Sequence, residues 1–121
     1  MGRRNYIEFE IQRECVSWLR ENYPGLLFTH IPLNSLSVAH GAKLKALGLT
    51  KGMPDLFVFH PSPRFHGLAV EFKRPGGAVQ PAQTEILDKM RELGYFTAIV
   101  DSFSGFTSLL AAYLSGFGKG Q

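Results

Sequence analysis

Leu68-Ala69-Val70-Glu71-Phe72-Lys73 is the stretch on which the reading of this chain turns. Its apolar run reads as a strand, and alternation sends Leu68, Val70 and Phe72 to one face and Ala69, Glu71 and Lys73 to the other. A carboxylate and an amine therefore leave the same face of a segment that otherwise looks like core. Upstream, Gly52-Met53-Pro54 leads into a second strand, Asp55-Leu56-Phe57-Val58-Phe59, and the loop between the two contains Pro61, Pro63 and Gly67. The two strands are expected to pair as a hairpin, which carries Asp55, at the head of its strand, toward Glu71.

Outward from this hairpin the periodicity changes. Ile7, Ile11, Cys15, Trp18 and Leu19 recur at helical spacing, so residues 6–23 predict an amphipathic helix that Pro24-Gly25 stops. Leu26 to Ile31 reads as a short strand ended by Pro32. Ser35 can cap a weaker helix with a thin apolar face that reaches Leu47 and closes at Gly48. Beyond Arg74-Pro75-Gly76-Gly77, a helix begins near Pro81, buries Ala82, Ile86, Leu87, Met90 and Leu93, and ends at Gly94. Phe96 to Val100 is a further strand and Phe103 to Leu114 a last helix. The expected fold class is α/β, a sandwich around a mixed four-stranded sheet flanked by helices.

The chain has 121 residues, enough for one domain with a real core, and only the Gly-rich end at about 116–121 looks loose. Apolar residues make up 45% and charged residues 19%, which excludes extended disorder; the net charge of +3 permits a polyanionic partner without demanding one. A single cysteine, Cys15, excludes an internal disulfide framework and a Cys-rich zinc site. With no signal core and no run long enough to span a bilayer, the expectation is a cytoplasmic protein without membrane contact.

Two converging carboxylates supply hard oxygen ligands for Mg²⁺ or Mn²⁺ and leave the remaining positions to water and phosphate oxygens. Lys73 beside them can orient or deprotonate a water, or stabilise charge building on phosphorus. The bland alternative is a solvated Glu71–Lys73 pair on an edge strand, with Asp55 an ordinary turn residue. Gly-x-Pro-Asp before one strand and Glu-x-Lys on its hairpin partner is the rarer combination, and it favours the chemical reading.

Gly52-Met53-Pro54-Asp55-Leu56, Val70-Glu71-Phe72-Lys73 and Gln80-Pro81-Ala82-Gln83 resemble the PD-(D/E)xK nuclease superfamily, and within it the virus-type replication-repair nuclease (VRR-NUC) domain. Glu8-Phe9-Glu10-Ile11-Gln12 and Asn34 also match that layout, so the resemblance spans Ile7 to about Val100. It implies a restriction-endonuclease-like sandwich and an Mg²⁺- or Mn²⁺-dependent endodeoxyribonuclease with no organic cofactor. Asp55, Glu71 and the Phe72 backbone carbonyl would hold the metal, and Lys73 would be the catalytic lysine. It further implies a DNA repair role in a bacterial or phage-infected cell. Branched DNA such as Holliday junctions is the expected substrate; a restriction-type or degradative nuclease of the same superfamily, or a non-catalytic nucleic-acid-binding module, is the competing reading.

At about 100° per residue, Glu8 lies about 50° from the centre of the first helix's apolar stripe and Glu10 about 110° away. Glu8 is thus the candidate for an inward catalytic glutamate, against the alternative of a rim carboxylate paired with Arg3, Arg4 or Arg13, while Glu10 reads as a solvated charge. Gln83 sits on the buried stripe of its helix, where its amide can serve Lys73, a water, a ligand carboxylate or the sheet backbone. Asn34, Lys43, Lys45, Lys51 and Arg74 are the expected DNA contacts, though each lysine fits an ordinary solvated surface equally well. His30, His40, His60 and His66 show no ligand spacing and are set aside. Phe103, Phe106, Leu109, Leu110, Tyr113, Leu114 and Phe117 crowd the carboxyl-terminal segment, which either covers the chain's own sheet or forms the interface of an expected homodimer.

Overall fold

A computed structural model describes residues 3–32 and 38–116, with side chains from residue 6 onward. Asn34, the Ser35 cap, Phe117 and most of the Gly-rich tail lie outside the described residues. Helix α1 (Arg3–Asn22) leads to strand β1 (Phe28–His30), helix α2 (Val38–Ala46) and strand β2 (Leu56–Val58). Strand β3 (Leu68–Phe72), helix α3 (Pro81–Glu92), strand β4 (Phe96–Val100) and helix α4 (Phe103–Leu114) complete the chain. The strands lie in the order β1-β2-β3-β4. β1 and β3 flank β2 antiparallel, while β4 runs parallel to β3 after the α3 crossover. The sheet is therefore mixed, as expected from a hairpin followed by a strand-helix-strand unit.

Alternation along β3 sorts the two faces. Leu68, Val70 and Phe72 join Leu56, Val58 and Val100 in one buried cluster with Cys15 and Leu19 of α1 and Phe106, Leu110 and Tyr113 of α4. Spacings of four and three along each helix align these residues into one stripe. Ser102 caps α4 by accepting from the Gly105 N–H at 3.0 Å, and the enclosed Tyr113 hydroxyl donates to the His60 carbonyl at 2.7 Å. α3 takes the opposite face, where Ala69, Leu87 and Met90 are buried. Glu71, paired in register with Ile99, belongs to that second face.

The fold decides one open alternative and alters other expectations. Among the described residues the carboxyl-terminal segment covers the chain's own sheet: Phe106, Leu110 and Tyr113 are wholly enclosed in the core, Leu109 and Leu114 pack against it, and Phe103 is 37% exposed. Among the described residues α2 buries none of its own, and Val38 and Leu47 stand 92% and 78% exposed; Leu93, expected in the buried stripe of α3, is 68% exposed. The strands are also shorter than the apolar runs that encode them, as β1 and β2 each pair over three residues. Pro54 and Pro32, lacking N–H donors, flank that ladder.

Candidate active site

Asp55 sits one residue before β2, and the β2–β3 register sets it beside Glu71. Its Oδ2 accepts from the Phe72 N–H at 2.8 Å, which ties the carboxyl to the end of β3. Glu71 is 2% exposed although it is a carboxylate, and its Oε2 accepts from Gln83 Nε2 at 2.7 Å. Gln83 in turn uses Oε1 to accept from the Gln80 N–H at 2.9 Å, so the first turn of α3 orients the amide that holds Glu71. Lys73, two residues along β3 and 9% exposed, places Nζ 3.7 Å from Glu71 Oε2.

Gly52 locks this geometry together. Its φ of +89° suits glycine, and a Cβ there would stand 2.5 Å from the Ala82 carbonyl oxygen. The turn carrying Asp55 therefore packs directly on the start of the helix carrying Gln83.

Burial is the main cause of the site's electrostatics. It pushes the Glu71 carboxyl up to about 8, with the neighbouring Asp55 charge adding to the effect and Lys73 opposing it. Burial raises Asp55 too, against the Phe72 N–H bond and the favourable fields of His30 and Lys73. Two ionised carboxylates are both acceptors, so they can bond each other only while one holds a proton. Glu71 Oε1 is buried with no donor from another residue, which leaves it to the proton shared with Asp55 or to a cation. Among the described residues, no three His, Cys, Asp or Glu side chains form a cage by themselves. A centre of two carboxylates, completed by backbone and solvent oxygens, is what this donor set can build, and it suits a hard divalent ion.

Glu8 is half-buried and reaches from α1 to accept the Arg74 N–H at 3.2 Å, close enough to Glu71 for its charge to be felt there. Glu10, also half-buried, instead pairs with Arg13 at 2.8 Å. Lys43, Lys45 and Lys51 are exposed, and Arg74 is half-buried. Sequence reasoning gave Gln12 no role beyond its place in the family resemblance and set His30 aside. His30 Nδ1 stands 2.7 Å from the Asp55 carbonyl oxygen and 2.9 Å from Gln12 Nε2. No local spacing signals this, because the contact depends on β1 pairing with β2.

A family model described as the VRR-NUC domain matches residues 8–104, a span that holds Glu8, Asp55, Glu71, Lys73 and Gln83. The chain belongs to the VRR-NUC domain family. A solved structure of a VRR_NUC domain protein shares this fold, with a TM-score of 0.76 at 23% identity over 93% of this chain and 90% of that one. No curated protein sequence matches the chain. As a VRR-NUC domain it is a nuclease-type domain, a class whose substrate is DNA. Among the described residues, no helix is long and apolar enough to cross a membrane.

Proposed function

We propose that this VRR-NUC domain is an endonuclease that hydrolyses DNA phosphodiesters with Mg²⁺ or Mn²⁺. The observation that carries the reading is the buried Glu71 carboxyl beside the half-buried Asp55, with no donor from another residue on Glu71 Oε1 and with Lys73 Nζ 3.7 Å from the same carboxylate. Asp55, Glu71 and the Phe72 carbonyl would hold the ion. A strand residue directs its N–H and C=O to the same edge, so the Phe72 carbonyl leaves on the Asp55 side, where its N–H already bonds Oδ2. A bound divalent cation supplies charge neutralisation for the phosphate and a more acidic water. Lys73 orients that water or stabilises the negative charge that develops on the phosphoryl oxygens. Gln83 fixes the Glu71 carboxylate, and Glu8 closes the edge of the site beside Arg74.

Lys43, Lys45, Lys51, Arg74 and Asn34 would hold backbone phosphates irrespective of sequence. Branched DNA is the substrate we assign, cut by a homodimer, because resolving a four-way junction takes two symmetry-related cuts and a two-fold dimer presents two copies of one site.

The test is a panel of labelled linear, flapped and four-way DNA incubated with and without Mn²⁺. Cleavage should need the metal, favour the four-way substrate and vanish in Glu71→Ala and Lys73→Ala. Strong cutting in excess chelator, or wild-type rates in either variant, would sink the mechanism. Sedimentation at micromolar concentration should give about twice the 13.5 kDa chain mass.

A further inference from the structure

Asp55 has an unusual need: it stands outside the β2 ladder, yet its carboxylate must point at one place. Its side chain is tied by the Phe72 N–H, but its own carbonyl receives two further donors. The Ile31 N–H reaches it at 3.0 Å and His30 Nδ1 at 2.7 Å. A carbonyl oxygen cannot donate, so the 2.7 Å contact requires the proton on Nδ1. The second neighbour of Nδ1 is the Gln12 amide, 2.9 Å away. With Nδ1 already carrying its one proton, that amide turns its oxygen toward the ring and shares the N–H with the nearer Asp55 carbonyl, a choice between amide orientations that leaves the heavy atoms in place. Gln12 lies one helical turn after Glu8 on α1, so one helix face serves both ends of the site. Glu8 meets the end of β3 at Arg74, and Gln12 meets the end of β1 at His30.

We propose that His30 is a positioning residue for Asp55, acting through its Nδ1–H on the Asp55 carbonyl with Gln12 setting the ring. The proposal rests on the reading of Asp55 as a metal-holding residue. His30 is exposed, and the Ile31 N–H remains on the same carbonyl when the ring is removed, so no buried group is orphaned and the fold should barely notice the loss. What changes is how tightly the Asp55 peptide, and with it the carboxylate, is aimed. Partners standing behind metal-holding residues typically matter about 10- to 100-fold in metal affinity or turnover.

The asparagine amide nitrogen is as many bonds from the backbone as imidazole Nδ1, whereas that of glutamine matches Nε2. The full chain is therefore compared as wild type, His30→Ala, His30→Asn and His30→Gln. Three readouts are used: Mn²⁺ binding without DNA by paramagnetic resonance, single-turnover cleavage, and DNA affinity in Ca²⁺. His30→Ala and His30→Gln should weaken Mn²⁺ binding and slow cleavage by about 10- to 100-fold with unchanged DNA affinity and melting temperature, while His30→Asn recovers most of both. Wild-type Mn²⁺ binding and cleavage in His30→Ala, or equal losses in the asparagine and glutamine variants, would overturn the positioning role while leaving the nuclease assignment standing. A wild-type chain that neither binds Mn²⁺ nor cuts DNA would overturn the nuclease assignment and this role with it.

Discussion

Replacing Glu71 by glutamine should make the metal-free protein more stable while abolishing its activity. The folded carboxyl is raised from 4.5 to about 8 by burial and by Asp55, so between those values the folded state holds a proton that the unfolded chain has released. Stability therefore falls as pH rises from 4.5 to 8 and levels off above it. At about 1.4 kcal/mol per pH unit, the loss reaches on the order of 3 kcal/mol at pH 7 and about 4 kcal/mol at pH 8. The glutamine amide imitates the protonated acid. Its oxygen can accept from Gln83 Nε2 and its nitrogen can donate to Asp55, with no charge to desolvate. With roughly 4 °C per kcal/mol for a domain of this size, Glu71→Gln should melt about 15 °C higher at pH 8 in chelator and within a few degrees of wild type at pH 5. Mn²⁺ should stabilise the wild type at pH 8 and leave the variant nearly unmoved. Thermal melts across pH in chelator and in Mn²⁺ are the assay. A variant that melts lower than wild type at pH 8, or a gain that is the same at pH 5, would refute the view that Glu71 is a charge held at a cost until a cation arrives.

Three further outcomes follow from the geometry. Glu8→Ala should reduce cleavage or Mn²⁺ affinity by about tenfold or more, whereas Glu10→Ala, which removes only a pair with Arg13, should change either by less than about twofold; equal effects would remove Glu8 from the site. Gly52→Ala should destabilise by roughly 2 kcal/mol or more in urea unfolding, because the Cβ meets the Ala82 carbonyl and φ is +89°; a neutral change would mean that the turn does not lean on α3. Lys43→Ala with Lys45→Ala should weaken DNA binding evenly across sequences and lower the slope of log affinity against log salt by about two, and an unchanged slope would take α2 off the DNA.

Local pattern made much of this molecule legible. Period-two alternation located β3 and put Glu71 and Lys73 on one side, and the apolar spacing in residues 6–23, 81–93 and 103–114 marked α1, α3 and α4, because a helix or strand stripe is written into neighbouring residues. The turn-rich loop between residues 59 and 68 likewise announced the hairpin that joins Asp55 to Glu71. Pairing between distant segments decided the rest. The parallel register of β3 with β4 lays α3 over Glu71, so only the folded chain chooses the carboxylate as the partner of Gln83 from the several that its buried amide might serve. The β1–β2 register brings His30 to Asp55 across 25 positions, and α1 brings Glu8 to Arg74 across 66, distances over which composition and periodicity carry no information. Whether the apolar carboxyl-terminal helix faces solvent or core was equally open, since both use the same stripe; the sheet face left uncovered by α3 settles it. Glu71's burial, and hence its proton, exists only once these elements close around it, because desolvation is a property of the packed surroundings and not of the residue.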